Sequence, residues 1–186
     1  MKRGLAVFGC SFFILSFLMV RYLADSKIFE TGIRLLLPVW VEDMKTDAFS
    51  SAVRIRYYNF IPVEELVKEK GAVVVQRFDD GRAAFVAKFS GQRLHPRELL
   101  LKYAVMPPSL FDSKQHGPNI RFASSVLRFP KEHTLLPAAV HYAVVYVNDK
   151  GNASLVGLTD ANGTQLVQGL TYLNPLHHTH RNPHDK

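Results

Sequence analysis

A chain of 186 residues has room for one domain of ordinary size. Its single cysteine, Cys10, excludes a disulfide framework and leaves the rest of the chain without a thiol nucleophile. The formal charge of +7 is spread thinly, with no stripe of cations and stacking aromatics, so nucleic acid is not the expected partner.

The chain opens with Lys2 and Arg3, runs uncharged from Gly4 to Val20, and meets Arg21. Leu5 to Leu23 as a helix would measure roughly 28 Å, the hydrocarbon thickness of a bilayer. Phe8, Phe12, Phe13 and Phe17 are distributed around that helix with Leu and Ile, leaving no polar face, so lipid is its natural solvent. The run exceeds a signal-peptide core, and its one small-x-small site, Ala24-Asp25-Ser26, lies beyond Arg21, which favours a retained signal-anchor over cleavage. Lys2 and Arg3 place the N-terminus in the cytoplasm. The expectation is a single-pass protein of the bacterial inner membrane, touching the lipid bilayer through residues 5–23, with its C-terminal domain in the periplasm or outside.

Beyond the anchor all 16 acidic residues and 20 of the 23 basic ones leave a net of +4, suited at most to loose attraction to anionic headgroups. Period-two alternation dominates. "GIRLLLPVWVED" (32–43) reads as a strand that Pro38 confines to an edge or a bulge. "AVRIRYYNF" (52–60) follows as a second, with Val53, Ile55 and Tyr57 on one face and Arg54, Arg56 and Tyr58 on the other. "PVEELVKEKG" (62–71) reads as the one short helix, from Pro62 through early Glu64 and Glu65 and late Lys68 and Lys70 to Gly71 as a stop. "AVVVQRFDDGRAAFVAKF" (72–89) is a hairpin about Asp80-Gly81.

"RELLLKYAVM" (97–106) fits strand or short helix and ends at Pro107-Pro108, and 109–119 reads as loop. "IRFASSVLRF" (120–129), "HYAVVYV" (141–147), "ASLVGL" (153–158) and a short "QLVQGL" complete the strands, the last three joined by "NDKGN" and "DANGT" turns. Two glycosylation-type sequons, at Asn152 and Asn162, fall in these turns and need only the backbone reasons for Asn. The predicted fold is mostly β: an antiparallel barrel-like or two-layer sheet domain with one short helix, preceded by an N-terminal transmembrane helix. Its divisions are an anchor at 1–26, the β domain at 27–173, and a polar, Pro-bearing tail at 174–186 expected to be disordered.

That tail holds His177, His178, His180 and His184, whose imidazoles could gather a Zn, Cu or Ni ion. An unstructured site must itself supply the ordering entropy, and no acidic or cysteine cluster accompanies these histidines. Catalytic signals are weaker. Ser50-Ser51, Ser124-Ser125 and Asp79-Asp80 lie in no nucleophile elbow, and phosphate-loop and His-Glu-x-x-His patterns are absent. No catalytic activity and no cofactor is therefore expected, with an envelope metal-binding protein and a hydrolase as the alternatives.

Segment 41–57, "VEDMKTDAFSSAVRIRY", the 73–82 hairpin "VVVQRFDDGR", "IRFASSVLRFPKEH" and the closing strand–turn–strand occur in an order that resembles the GDYXXLXY family of bacterial membrane-anchored proteins. Laid on the family pattern without gaps, Asp43 takes the place of its loop aspartate and Lys45 of its loop arginine. Ile55 falls on its leucine and Tyr57 on its last tyrosine. The Gly-Asp-Tyr falls on Ser50-Ser51-Ala52, so whatever those three family residues do does not carry over. The resemblance covers the chain to about residue 170. It implies no established activity and an accessory role beside an integral membrane protein. The expected contact surface is segment 43–57, with Asp43, Lys45, Arg54, Arg56 and Tyr57 as contacts, because the guanidinium fork pairs bidentately with carboxylates.

Overall fold

The computed structural model describes residues 31–57, 60–62, 69–106 and 119–170. These form ten strands: β1 (Ile33–Thr46), β2 (Ser50–Tyr57), β3 (Lys70–Arg77), β4 (Ala83–Lys88), β5 (Glu98–Met106), β6 (Asn119–Arg121), β7 (Val126–Pro130), β8 (Tyr142–Val147), β9 (Ala153–Thr159) and β10 (Gln165–Gln168). They join in one antiparallel sheet of order β10-β9-β8-β1-β2-β6-β5-β3-β4, with β7 also on β2. The fold is mostly β with almost no helix; a 3-10 turn at Pro137–Ala139 is the only helical element named among the described residues. The anchor at 5–23 lies outside them, and within them no helix is long and apolar enough to cross a membrane.

Alternation decides which face of each strand is buried. Leu35, Leu37 and Val39 of β1, Val53, Ile55 and Tyr57 of β2, Val73 and Val75 of β3, and Leu101 and Tyr103 of β5 all join one core. Leu127 and Phe129, Ala143, Val145 and Val147, Leu155 and Leu158, and Val167 complete it from the strands that follow. A core shared by strands from both ends of the sheet path requires the sheet to wrap upon itself. Strand β1 is the pivot. Its first half pairs with β8 as far as Pro38, opposite Tyr142, and its second half pairs with β2 from Val39, opposite Tyr57. Pro38, expected at an edge or bulge, sits at this exchange of partners, where its missing N–H costs no ladder bond.

Two hairpin tips tie distant strands of this path together. The Gly81 carbonyl at the β3–β4 tip accepts the Leu36 amide at 2.8 Å, and the Gly151 carbonyl at the β8–β9 tip accepts the Lys102 amide at 2.9 Å. Both tips are held by an Asx side chain on their own backbone: Asp80 takes the Arg82 amide, and Asn148 takes those of Lys150 and Asn152. Both glycines have positive φ, which lets the tip turn its carbonyl back to the sheet.

Three local expectations meet different outcomes. Of the helix expected over 62–71, residues 63–68 lie outside the described residues, while Lys70 and Gly71 open β3. Gly71 is there because the Tyr103 ring crosses it: a Cβ would stand 2.7 Å from the Tyr103 hydroxyl. The ambiguous 97–106 is a strand, fixed by pairing with β3 from Gln76–Glu98 to Lys70–Ala104. The single strand expected over 120–129 is two, because the Ser124 hydroxyl bonds the amide and carbonyl of Val126 and turns the chain between β6 and β7.

Candidate functional site

The β1–β2 hairpin carries all five expected contact residues, and the structure divides them. Tyr57 faces the core at 2% exposure, its ring edge-on to Phe122 with centroids 5.5 Å apart, and Phe60 meets the same ring at 5.2 Å. Its hydroxyl donates to the Ser124 carbonyl at 3.0 Å, and burial pushes its pKa above the usual tyrosine value. In this fold Tyr57 is a packing residue, turned away from any surface contact.

Arg56 shares a face with Arg54 but is only 7% exposed. A bulge between Val41 and Asp43 inserts Glu42 as an extra residue in β1, and its carboxylate accepts the Arg56 Nε–H. The guanidinium also lies 6.0 Å from the centroid of the Trp40 ring, directly across the ladder. Arg56 therefore fastens the base of the hairpin, and its planar fork suits that role better than a lysine would. Arg54 is exposed, opposite Asp43, while Asp43 and Lys45 form an exposed ion pair at 3.7 Å. Such a pair contributes at most about 1 kcal/mol, so all three side chains are available for exchange with a partner.

The tip itself holds the residue that sequence reasoning overlooked. Asp47 accepts the amides of Phe49 at 2.9 Å and Ser50 at 2.7 Å, and its own amide donates to the Ser50 carbonyl at 2.9 Å. The amide bonds hold the Asp47 carboxyl below the ordinary aspartate range. From β7 and just beyond, Arg128 sits 3.7 Å from Asp47, and Lys131 donates to the Ala48 carbonyl at 3.0 Å. Thr46 and Ser51 share a hydroxyl–hydroxyl bond across the base. This bracing leaves Phe49 89% exposed. A legible signal existed: Asp47-x-Phe49 is Asx-turn spacing, which places an apolar ring at the outermost point of a turn. Glu42 had none, because a bulge breaks the alternation from which faces are read.

Comparison of the chain with family models, with curated proteins and with solved structures finds no match. The site therefore stands on its own geometry.

Elsewhere, a cleft of about 600 Å³ opens beside Pro38, between β1 and β4, lined by apolar residues including Phe60, Ile61, Ala83 and Phe85. None of its described lining residues has a titratable or hydroxyl side chain. His177, His178, His180 and His184 lie outside the described residues, within which no group of three or more His, Cys, Asp or Glu could hold a metal ion. His141 contacts the Ala139 carbonyl at 3.1 Å, a strand-end histidine with a local partner.

Proposed function

We propose that the chain is a membrane-anchored, extracytoplasmic binding or accessory protein without catalytic activity, and that the β1–β2 tip is its contact surface for an integral membrane protein. The observation that carries this reading is Phe49: a large apolar side chain held in solvent by a turn whose backbone is bonded by the Asp47 carboxylate and by Lys131. A pre-ordered aromatic loses little entropy on docking, and aromatic and arginine side chains dominate protein interfaces. Arg54 and Lys45 beside it supply charge for specificity, while Arg56 and Tyr57 hold the hairpin from below. Support for the membrane setting comes from the apolar segment 5–23 and from the resemblance to the GDYXXLXY proteins.

The test is purification of the full-length protein from its native membrane in mild detergent, with co-eluting proteins identified by mass spectrometry. A stoichiometric multi-spanning partner is expected, lost from a Phe49→Ser/Arg54→Ser variant whose thermal unfolding is unchanged. Elution alone, or undiminished partner yield in that variant, overturns the reading.

A further inference from the structure

The opposite end of β1 carries a second surface. Ile33, the first residue of the strand, is 37% exposed, and Phe78, just past the end of β3, is 45% exposed. Together with Pro96 and Leu99 they line a cleft of about 240 Å³ whose rim is Arg77, Arg97 and Asp79. The two arginines are fixed to each other through the backbone, the Arg77 amide donating to the Arg97 carbonyl at 3.0 Å. Arg97 meets Asp79 only at 3.8 Å with both side chains largely in solvent, too weak a pair to hold either away from another anion. Arg34 stands nearby, its guanidinium 3.4 Å from where a Cβ on Gly81 would lie. Apolar side chains between arginines, at one end of a sheet, form the pattern of a surface that meets a lipid headgroup layer.

The length of chain before β1 says which layer. Nine residues, 24–32, separate the apolar run ending at Leu23 from Ile33. Even fully extended, that connection reaches at most about 35 Å, so this end of the domain is the one tethered near the bilayer. We infer that the Ile33–Phe78 end of the sheet rests on the membrane that holds the chain's own anchor, with Arg77 and Arg97 pairing with the phosphates of anionic phospholipids. The inference rests on the membrane-anchored reading above and adds an orientation to it. The Phe49 tip, at the far end of the same 14-residue strand, then faces away from the bilayer, toward the extramembrane part of a partner. Two surfaces with exposed aromatics thus take different counterparts: lipid at the root of β1, protein at its tip.

Cys10 is the chain's only cysteine, so single labels are straightforward. Full-length Cys10→Ser protein carrying an environment-sensitive fluorophore at Phe78→Cys, or at Phe49→Cys, is reconstituted into vesicles of phosphatidylcholine and phosphatidylglycerol in equal parts, with a nitroxide quencher on the headgroups. Quenching several-fold stronger at position 78 than at 49 is expected. Ile33→Cys repeats the measurement from the second apolar residue, should the label at 78 disturb the cleft. Adding Arg77→Ser and Arg97→Ser should lower the quenching to the level seen in phosphatidylcholine alone. Equal quenching at both ends, quenching at 49 only, or no effect of the arginine pair overturns the inference. A signal that is absent until a protein partner is added does so as well, by assigning this end to protein. Extraction with alkaline carbonate separates the failures. A chain that is extracted overturns both the anchored reading and this one, whereas a chain that resists extraction without quenching at 33 or 78 overturns only the orientation.

Discussion

The β3–β4 and β8–β9 tips set a glycine carbonyl on a neighbouring strand, Gly81 on Leu36 and Gly151 on Lys102, whereas the β1–β2 tip holds Phe49 clear of the sheet. All three turns use the same local chemistry, an Asp or Asn side chain accepting amides two to four residues on. What separates them is the next residue type. A glycine at positive φ folds the tip back so that it completes a ladder, and its carbonyl is satisfied by the fold. Ala48-Phe49 makes no such return, and the Asp47 carboxylate and Lys131, just past β7, hold the turn instead. Turn propensity alone therefore says where these three hairpins bend; in the two that close on the sheet, a glycine carbonyl makes the return.

The largest effect should come from breaking a closing tip. Gly151 has φ +78, and a Cβ there would stand 3.0 Å from the Leu100 carbonyl oxygen. Gly151→Ala combines left-handed strain with displacement from β5 and should cost about 2–3 kcal/mol in denaturant unfolding. Gly91, at φ +95 with nothing within 4 Å of its Cβ, isolates the strain, and Gly91→Ala should cost about 1 kcal/mol. Equal losses would mean that docking of the β8–β9 tip adds no stability. Next in size is the fastening of the presenting hairpin. Glu42→Ala leaves the Arg56 guanidinium buried without its carboxylate, and because Glu42 retains a quarter of its exposure the loss should be about 2 kcal/mol. Asp43→Ala, removing an exposed pair, should fall within about 0.5 kcal/mol of the parent by the same measurement.

These residues also mark how far the sequence could be read. The hairpin at 72–89, the inward set Val53, Ile55 and Tyr57, and the turns at Asp80-Gly81, 148–152 and 160–164 followed from alternation and turn chemistry, because both are local. Three features were not local. Arg56 alternates as a solvent-facing residue, yet it is buried by Trp40 and by a carboxylate that only a bulge brings into reach. The strand 98–106 is decided by β3, its partner in the sheet with β4 between them in the chain, and not by its own Leu-rich composition. The sheet's closure depends on Gly81 and Gly151 meeting strands 45 and 49 residues away in sequence, respectively, which no window of the chain records. Of the candidate site, the sequence located the hairpin and its exposed charges, while Phe49 passed for an ordinary apolar residue.

Two buried tyrosines sharpen the contrast at the level of a single hydroxyl. The Tyr57 hydroxyl ties β2 to the Ser124 turn, so Tyr57→Phe should lose about 1 kcal/mol. Among the described residues the Tyr103 hydroxyl has no hydrogen-bond partner, pressed instead against Gly71. Tyr103→Phe removes a desolvated polar group and should leave stability unchanged or raised, read from the same unfolding midpoints. A loss at Tyr103 as large as at Tyr57 would show that its hydroxyl contributes a bond of its own.

The smallest effect is confined to the presenting tip and depends on pH. The Phe49 and Ser50 amides favour the charged form of Asp47, so its folded pKa lies below the ordinary aspartate value. The sign follows from proton linkage: the unfolded carboxyl binds a proton more readily, so the contribution is complete above the ordinary aspartate range and disappears as pH falls through the lowered value. Near neutral pH the tip should stay ordered, and it should loosen only in acid, with the rest of β1 and β2 still paired. Hydrogen exchange at the Phe49 and Ser50 amides, corrected for the intrinsic rate and compared with Val53 and Ile55, reads this directly. Protection of the first two that falls in acid ahead of the others is the expected result. Asp47→Asn should abolish that dependence while keeping the turn, since a neutral side-chain amide oxygen accepts the same two bonds. Protection that is flat through the acid range in the parent, or already lost at neutral pH, would mean the carboxylate does not hold the tip, and the rigidity credited to Phe49 would have to come from Lys131 on the Ala48 carbonyl and from the Asp47–Ser50 backbone bond alone.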